Sequence, residues 1–211
     1  MFDQFFSGGF GEAIRAAGAL AFGYFLGSIP FGLVFGWLAG AGDVRSVGSG
    51  NIGATNVLRT GKRCAAAATL ICDAGKGALA VLVAGLYGSE LAVLAGIGSF
   101  LGHVFSVWLK FRGGKGVATF LGVMIALDWR VGLLGAAVWL IAALLFRISS
   151  LSALIAAAAT PVVFAFFREP LYLVAAALLA LLIFFTHRTN IARLTRGEEP
   201  RIGQKASSPS A

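Results

Sequence analysis

Seven apolar stretches alternate with short polar runs along this chain. They run approximately from Ala16 to Ala39, Cys64 to Tyr87, Leu91 to Leu109, Val117 to Leu127, Val131 to Phe146, Leu151 to Phe167 and Leu171 to Thr186. A straight membrane span needs roughly 20 apolar residues, and several of these stretches are shorter. The fourth is expected to begin inside the loop before it or to cross only part of the bilayer. The pattern predicts an all-α, polytopic integral membrane protein with about seven transmembrane helices. It forms one domain over residues 1–211 with a disordered tail from 203 to 211.

Composition agrees with that reading. The chain is 58% hydrophobic and 12% charged, against roughly 25% charged in soluble domains, and its mean hydropathy is +0.88. The net charge of +8 sits in loops and not on one amphipathic face, which favours membrane orientation and anionic ligands over nucleic acid. The start, MFDQFFSGGFGEAIR, has an acid at Asp3 and no basic leader, so the first apolar stretch reads as a retained helix. With the N-terminus outside, Arg45, Arg59, Lys62, Arg63, Lys110, Arg112, Lys115, Arg147, Arg188, Arg193, Arg196, Arg201 and Lys205 fall on the cytoplasmic side. Arg15, Arg130 and Arg168 fall opposite, and Lys76 lies within a span. That is the positive-inside pattern. Trp37, Trp108 and Trp129 sit near span ends, as interfacial anchors do.

Small residues carry a second signal. Gly23 and Gly27, then Gly32, Gly36 and Gly40, are four apart and suit close helix approach in lipid. Pro30 is expected to kink or break the first helix. Cys64 and Cys72 have no metal-ligand or CxxC spacing and read as small buried residues.

The chemistry concentrates in three polar runs, all on one side in this topology. The first, GSGNIGATNVLRTGKR (Gly48 to Arg63), combines open backbone with hydroxyls, amides and cations. Gly48, Ser49, Gly50, Asn51, Thr55, Asn56 and Arg59 form a candidate phosphate cradle, Arg59 offering a planar fork. It matches a dinucleotide-binding spacing, but an apolar helix precedes it where that motif needs a strand. The second, KFRGGKG, offers Gly113, Gly114, Lys115 and Gly116 as another anion cradle. It lacks the hydroxyl that a P-loop places after its lysine. The third, HRTNIAR, places His187 and Asn190 one helical turn apart. Within the apolar stretches, Asp73 and Lys76 form an (i, i+3) pair that reads as a structural ion pair beside the site, and His103 reads as an interhelical hydrogen-bonding group. No metal site and no cofactor are expected from these residues.

Taken in order, GSIPFG, DVRSVGSGNIGATNVLRTGK, the Asp73/Lys76 helix, GHVFSVWLKFRGGKGVAT and HRTNIARLTRGEEPRIG resemble the bacterial acyl-phosphate:glycerol-3-phosphate acyltransferase family (PlsY) over roughly Gly27 to Gly203. The resemblance implies a seven-helix enzyme of the bacterial cytoplasmic (inner) membrane with its active site on the cytoplasmic side. It implies fatty acyl transfer from acyl phosphate to the 1-hydroxyl of glycerol 3-phosphate, giving lysophosphatidic acid and phosphate. Catalytic roles fall on Ser49, Arg59, His187 and Asn190, glycerol phosphate binding on Gly113 to Gly116 with Lys115, and a structural acid on Glu199. One of Ser149, Ser150 and Ser152 is expected to line the site, and which one stays open. Thr189 stands where relatives often carry an acid. The implied partners are the two substrates, membrane lipids and the soluble enzyme that makes acyl phosphate, with no nucleic acid.

No histidine has an acid five positions on, so the HxxxxD motif of other glycerol-phosphate acyltransferases is absent. The proton acceptor is therefore His187 or a substrate phosphate, whose second pKa is about 6; the resemblance favours the phosphate. An acyl-Ser49 intermediate is a third route, without a visible activating partner. Two other classes compete. A transporter of a phosphorylated solute would use the intramembrane charges, but no inverted repeat is evident. A non-catalytic lipid-binding scaffold would not need three glycine and cation loops.

Overall fold

The computed structural model describes residues 9–167 and 169–203. Asp3, Arg168, Lys205 and the tail from 204 onward lie outside the described residues. Among the described residues ten α-helices follow one another: α1 (Phe10–Gly27), α2 (Phe31–Leu38), α3 (Ala54–Arg59), α4 (Arg63–Gly85), α5 (Ser89–Val104), α6 (Val117–Leu127), α7 (Trp129–Phe146), α8 (Ser149–Phe167), α9 (Pro170–Thr186) and α10 (Arg188–Thr195). Short 3-10 turns at Val44–Ser46 and Val107–Leu109 shape two of the loops.

The expected seven transmembrane helices are not what the chain forms. Among the described residues five segments are long and apolar enough to span: Phe10–Leu38, Arg63–Gly85, Ser89–Leu109, Trp129–Phe146 and Ser149–Phe167. A sixth is possible only if α9 and α10 count as one span, and they meet at a 62° bend. The physical reason is length. α6 has 11 residues and so reaches about 16 Å, roughly half of a 30 Å hydrocarbon core. The assignment of the N-terminus to the outside depended on seven crossings and falls with them.

Glycine seams hold the bundle together. A side chain at Gly23 would run into Ala95, and one at Gly27 into Ser99, while Gly98 and Gly102 return the fit against Leu20 and Tyr24. α1 and α5 thus lie backbone to backbone, where lipid offers no hydrophobic drive and close contact must supply the attraction. Ser106 Oγ donates to the Ser28 carbonyl at 2.7 Å and Tyr24 OH to the Phe105 carbonyl at 2.7 Å, closing the end of that seam. Gly32 and Gly36 pack on Ile52 and Val44, which docks α2 against the first polar loop; Gly40 faces open space. α4 and α6 approach in the same way through Gly77 and Gly122. The core between α5, α6, α8 and α9 is filled by Phe100, Phe120, Met124, Phe164, Leu179 and Ile183.

Pro30 does break the first helix: α1 stops at Gly27 and α2 restarts at Phe31. The carbonyl of Ile29, released by the break, accepts from Lys76 Nζ at 2.9 Å, as a freed backbone group within a bundle must find a partner. The cysteines depart from expectation. Cys64 is exposed and Cys72 half-buried, both on α4, so neither belongs to the core.

Candidate active site

The first polar loop is organised by one buried amide. Asn56 Oδ1 accepts from the Ser49 N–H at 3.0 Å and lies 3.3 Å from Ser49 Oγ. Its Nδ2 donates to the carbonyls of Val44 and Asn51, both at 2.7 Å. Gly48 and Gly50 take positive φ, +59° and +68°, to bring the chain round it. At Gly48 a Cβ would also press on Asn56 Oδ1 and Arg59 Cδ. Asn51 Oδ1 caps the turn by accepting from the Gly53 N–H at 2.9 Å. The result holds Ser49 at the surface and aims α3 so that Thr55 and Arg59 face the same side. The Arg59 guanidinium makes no hydrogen bond among the described residues.

The second loop is folded onto the end of α5. Gly113 N donates to the Val104 carbonyl at 2.9 Å and Gly114 N to the His103 carbonyl at 3.0 Å. There is no room for a side chain: Gly113 abuts the His103 carbonyl, Gly114 the His103 ring and Gly116 the Phe100 ring. These glycines are needed for contact with α5, and the first two have already given their N–H groups away. What the loop presents is Lys115, whose carbonyl is held by Thr186 Oγ1 at 3.2 Å.

The third run supplies a polar chain. The bend after α9 places His187 and Asn190 on the inner side, each 3% exposed. Lys115 Nζ donates to Asn190 Oδ1, and Asn190 Nδ2 donates to Glu199 Oε1 at 2.5 Å. Glu199 also accepts from Ser150 Oγ at 2.7 Å and from Arg193 Nε at 2.7 Å. Burial would raise the Glu199 carboxyl, but the bonds from Ser150, Asn190 and Arg193 outweigh it and hold its pKa below the ordinary value. Burial pushes the Lys115 ammonium down to about 8, opposed by Glu199 and reinforced by Arg193 and Arg59. Burial lowers Arg59 as well, though a guanidinium stays charged. His187 Nδ1 lies 2.9 Å from the Ile183 carbonyl. An N–H donated there leaves Nε2 as the acceptor in a neutral ring.

Deeper in the bundle, Asp73, Lys76 and His103 are 2–3% exposed. Lys76 Nζ lies 2.7 Å from Asp73 Oδ1 and His103 Nδ1 3.5 Å from the same oxygen. The expected pair is thus a trio, and its third member bears on Gly114.

These elements enclose a cavity of about 540 Å³. Its polar end is lined by Ser49, Thr55, Arg59, Lys115, His187 and Asn190. Its other flank is apolar, with Ala66, Leu70, Val117, Leu121, Ala136 and Trp139. Leu70 is 51% exposed on the outer face of α4, so this flank opens sideways to where lipid lies. Asn51, Gly116, Asp73, His103 and Glu199 also reach the lining, whereas Gly48, Gly50, Gly113, Gly114 and Lys76 do not. Both Ser149, bonded to Thr55 at 3.1 Å, and Ser150 line the cavity; Ser152 turns back to the Ile148 carbonyl. Sequence reasoning missed Trp139, an aromatic without a motif, and the binding of Arg193 to Glu199. Such a cavity places three cations, Arg59, Arg63 and Lys115, and several neutral donors beside an apolar groove, which suits phosphates attached to acyl chains.

Comparison with known proteins gives a consistent picture. The family described as "Glycerol-3-phosphate acyltransferase" matches residues 17–197. A glycerol-3-phosphate acyltransferase of Mesorhizobium japonicum is 57% identical over 187 residues, 89% of this chain and 96% of that one. Another, of Paramagnetospirillum magneticum, is 58% identical over 189 residues, 89% of this chain and 94% of that one. The crystal structure of PlsY (YgiH), an integral membrane glycerol 3-phosphate acyltransferase, in its glycerol 3-phosphate form, superposes with a TM-score of 0.85 at 38% identity, covering 89% of this chain and 96% of that one. Its lysophosphatidic acid form gives 0.81 at 37%, with 89% and 95% covered. This chain therefore belongs to the glycerol-3-phosphate acyltransferase family and is of the PlsY type.

Proposed function

We propose that this protein transfers a fatty acyl group from acyl phosphate to the 1-hydroxyl of glycerol 3-phosphate, releasing lysophosphatidic acid and inorganic phosphate. The observation that carries the reading is the meeting of Arg59, Lys115, His187, Asn190 and Ser49 at the polar end of a groove that opens sideways toward lipid. An acyl phosphate is an activated donor with a good leaving group. The protein's task is to hold two anionic head groups and one acyl chain in attacking position. The acyl chain lies along Leu70, Leu121 and Trp139 while both phosphates stay at the loops. Lys115, fixed by Asn190, is the point charge for glycerol phosphate. Arg59, without a hydrogen-bond partner among the described residues, offers a fork for a second phosphate.

The hydroxyl proton goes to a substrate phosphate, with His187 Nε2 as the alternative acceptor. Ser49 and Asn190 act as hydrogen-bond donors to the reacting groups, and the glycines of both loops keep the backbone close enough for this geometry. The Asp73–Lys76–His103 trio and Glu199 serve as supports.

The protein is a polytopic membrane protein, consistent with the inner membrane of a bacterium. We place its active site at the cytoplasmic face. Arg45, Lys62, Arg63, Lys110, Arg112, Arg147 and Arg188 lie in or beside the loops at the site end of the bundle, against only Arg15 and Arg130 among the described residues at the other end, where Arg130 pairs with Asp128. That asymmetry is the positive-inside signature. A soluble supplier of acyl phosphate would then reach the cavity from the same side. The test is to incubate the pure protein with palmitoyl phosphate and labelled glycerol 3-phosphate, without coenzyme A or carrier protein. Labelled lysophosphatidic acid supports the reading. Labelled solute taken up into sealed vesicles without acylation would replace it with a transporter.

A further inference from the structure

We propose a second anion site on the back of the two glycine loops, one that holds the phosphate head group of an anionic membrane lipid. A hollow separate from the catalytic cavity is lined by Arg45, Gly50, Leu109, Lys110, Arg112 and Gly113. Three cations converge there, and among the described residues no carboxylate lines it, Asp43 holding Arg45 from outside the lining. Asp43 grips Arg45 from the side, with Nε at 2.9 Å and Nη2 at 2.6 Å, which fixes that guanidinium in place. Lys110 and Arg112 make no side-chain hydrogen bond or ion pair among the described residues. Like charges gathered in this way repel one another unless an anion is shared between them.

The local backbone is built for the gathering. Lys110 and Phe111 both take left-handed conformations, φ 51° and 61°, which are unfavourable for residues with a side chain. This turn sets Lys110 and Arg112 close together in sequence with Trp108 and Phe111, which are 64% and 61% exposed. Exposed aromatics beside cations mark the level of lipid head groups. That pairing identifies the ligand as a lipid and not a dissolved phosphate. The site also has a route to the active site. Gly50 follows Ser49 in the first loop, and Gly113 precedes Lys115 by two residues in the second. An occupant therefore braces both catalytic loops from behind.

The test uses the full chain in zwitterionic nanodiscs titrated with phosphatidic acid, with bound lipid counted by native mass spectrometry. Wild type is expected to retain one phosphatidic acid that Lys110→Ser/Arg112→Ser binds about 30-fold more weakly, as removal of two head-group cations implies. The variant's turnover in pure phosphatidylcholine should match wild type, since neither residue lines the catalytic cavity. Lys62→Ser/Arg196→Ser, an equal charge loss elsewhere, should change affinity less than about twofold. Equal weakening in both double variants would reduce the effect to general surface charge and overturn the site. Saturable binding of inorganic phosphate alone, lost in the first variant, would overturn the assignment to a lipid. The readout is lipid binding, so the result stands whether or not acyl transfer is confirmed.

Discussion

Raising the pH should weaken glycerol 3-phosphate binding before it affects anything else in the site. Lys115 titrates at about 8 because burial disfavours its ammonium form. A group with that pKa is about 90% protonated at pH 7 and about 10% at pH 9. If only the ammonium binds the phosphate, kcat/KM for glycerol 3-phosphate falls about tenfold over that interval, or roughly 1.4 kcal/mol. The substrate contributes nothing to the fall, because a phosphate monoester with a second pKa of about 6 is already dianionic there. Bound phosphate favours the charged lysine, so kcat should vary less than kcat/KM, which reports the free enzyme. The assay is an initial-rate series at saturating acyl phosphate. Lys115→Arg stays charged throughout and should remove the fall, even though its fork meets Asn190 differently and lowers the rate. A wild-type profile flat to pH 9.5, or a fall that survives in Lys115→Arg, would show that the Lys115 ammonium does not bind the phosphate.

Glu199→Gln should cut kcat/KM by about 10- to 100-fold, since Asn190, Ser150 and Arg193 all lose a charged acceptor worth roughly 1.5–3 kcal/mol per bond; a change within twofold would remove Glu199 from the support of Lys115. Asn56→Ala should lower thermal stability in detergent by about 2–4 kcal/mol, because two carbonyls and the Ser49 N–H lose their partner; an unchanged melting temperature would show that the loop is held some other way. Gly98→Val should prevent α1 from closing on α5 and abolish monodisperse protein on size exclusion, since the new side chain has only the Leu20 and Tyr24 backbones to meet. His187→Gln decides the proton acceptor. Substantial remaining turnover assigns the proton to the substrate phosphate, whereas loss of most kcat at unchanged KM assigns it to the imidazole.

Much of the architecture could be read from hydropathy, but the number of crossings could not. The apolar stretch Val117–Leu127 was located with the bounds the helix has. What the pattern lacks is a ruler, since an apolar run states that a segment avoids water and not that it reaches across. Pro30 announced its break because a missing N–H is a local fact. The glycine seam of α1 was visible as spacing, although its partner α5, whose contacts lie more than seventy residues on, was not.

The site followed the same division. Short polar and cationic runs point to Lys115, Arg59, His187 and Asn190 as candidates, and all four line one cavity. The roles of Gly113 and Gly114 were harder to read. A glycine that opens a backbone to a ligand and one that lets the backbone touch another helix look alike in sequence, and these two do the second. Asn56 shows the same ambiguity, an amide that could face a phosphate but is used to tie its own loop. Linkages such as His103 to Asp73 and Ser150 to Glu199 join residues thirty or more positions apart. No local pattern encodes them.

Whether this cavity takes its acyl group from a phosphate is decided by a comparison of donors. Purified protein would be given glycerol 3-phosphate with palmitoyl phosphate or with palmitoyl coenzyme A, measuring lysophosphatidic acid and inorganic phosphate together. The first donor should release one phosphate per lysophosphatidic acid formed, and the second should give no product. Comparable rates with the coenzyme A thioester would contradict a phosphate as the acyl donor.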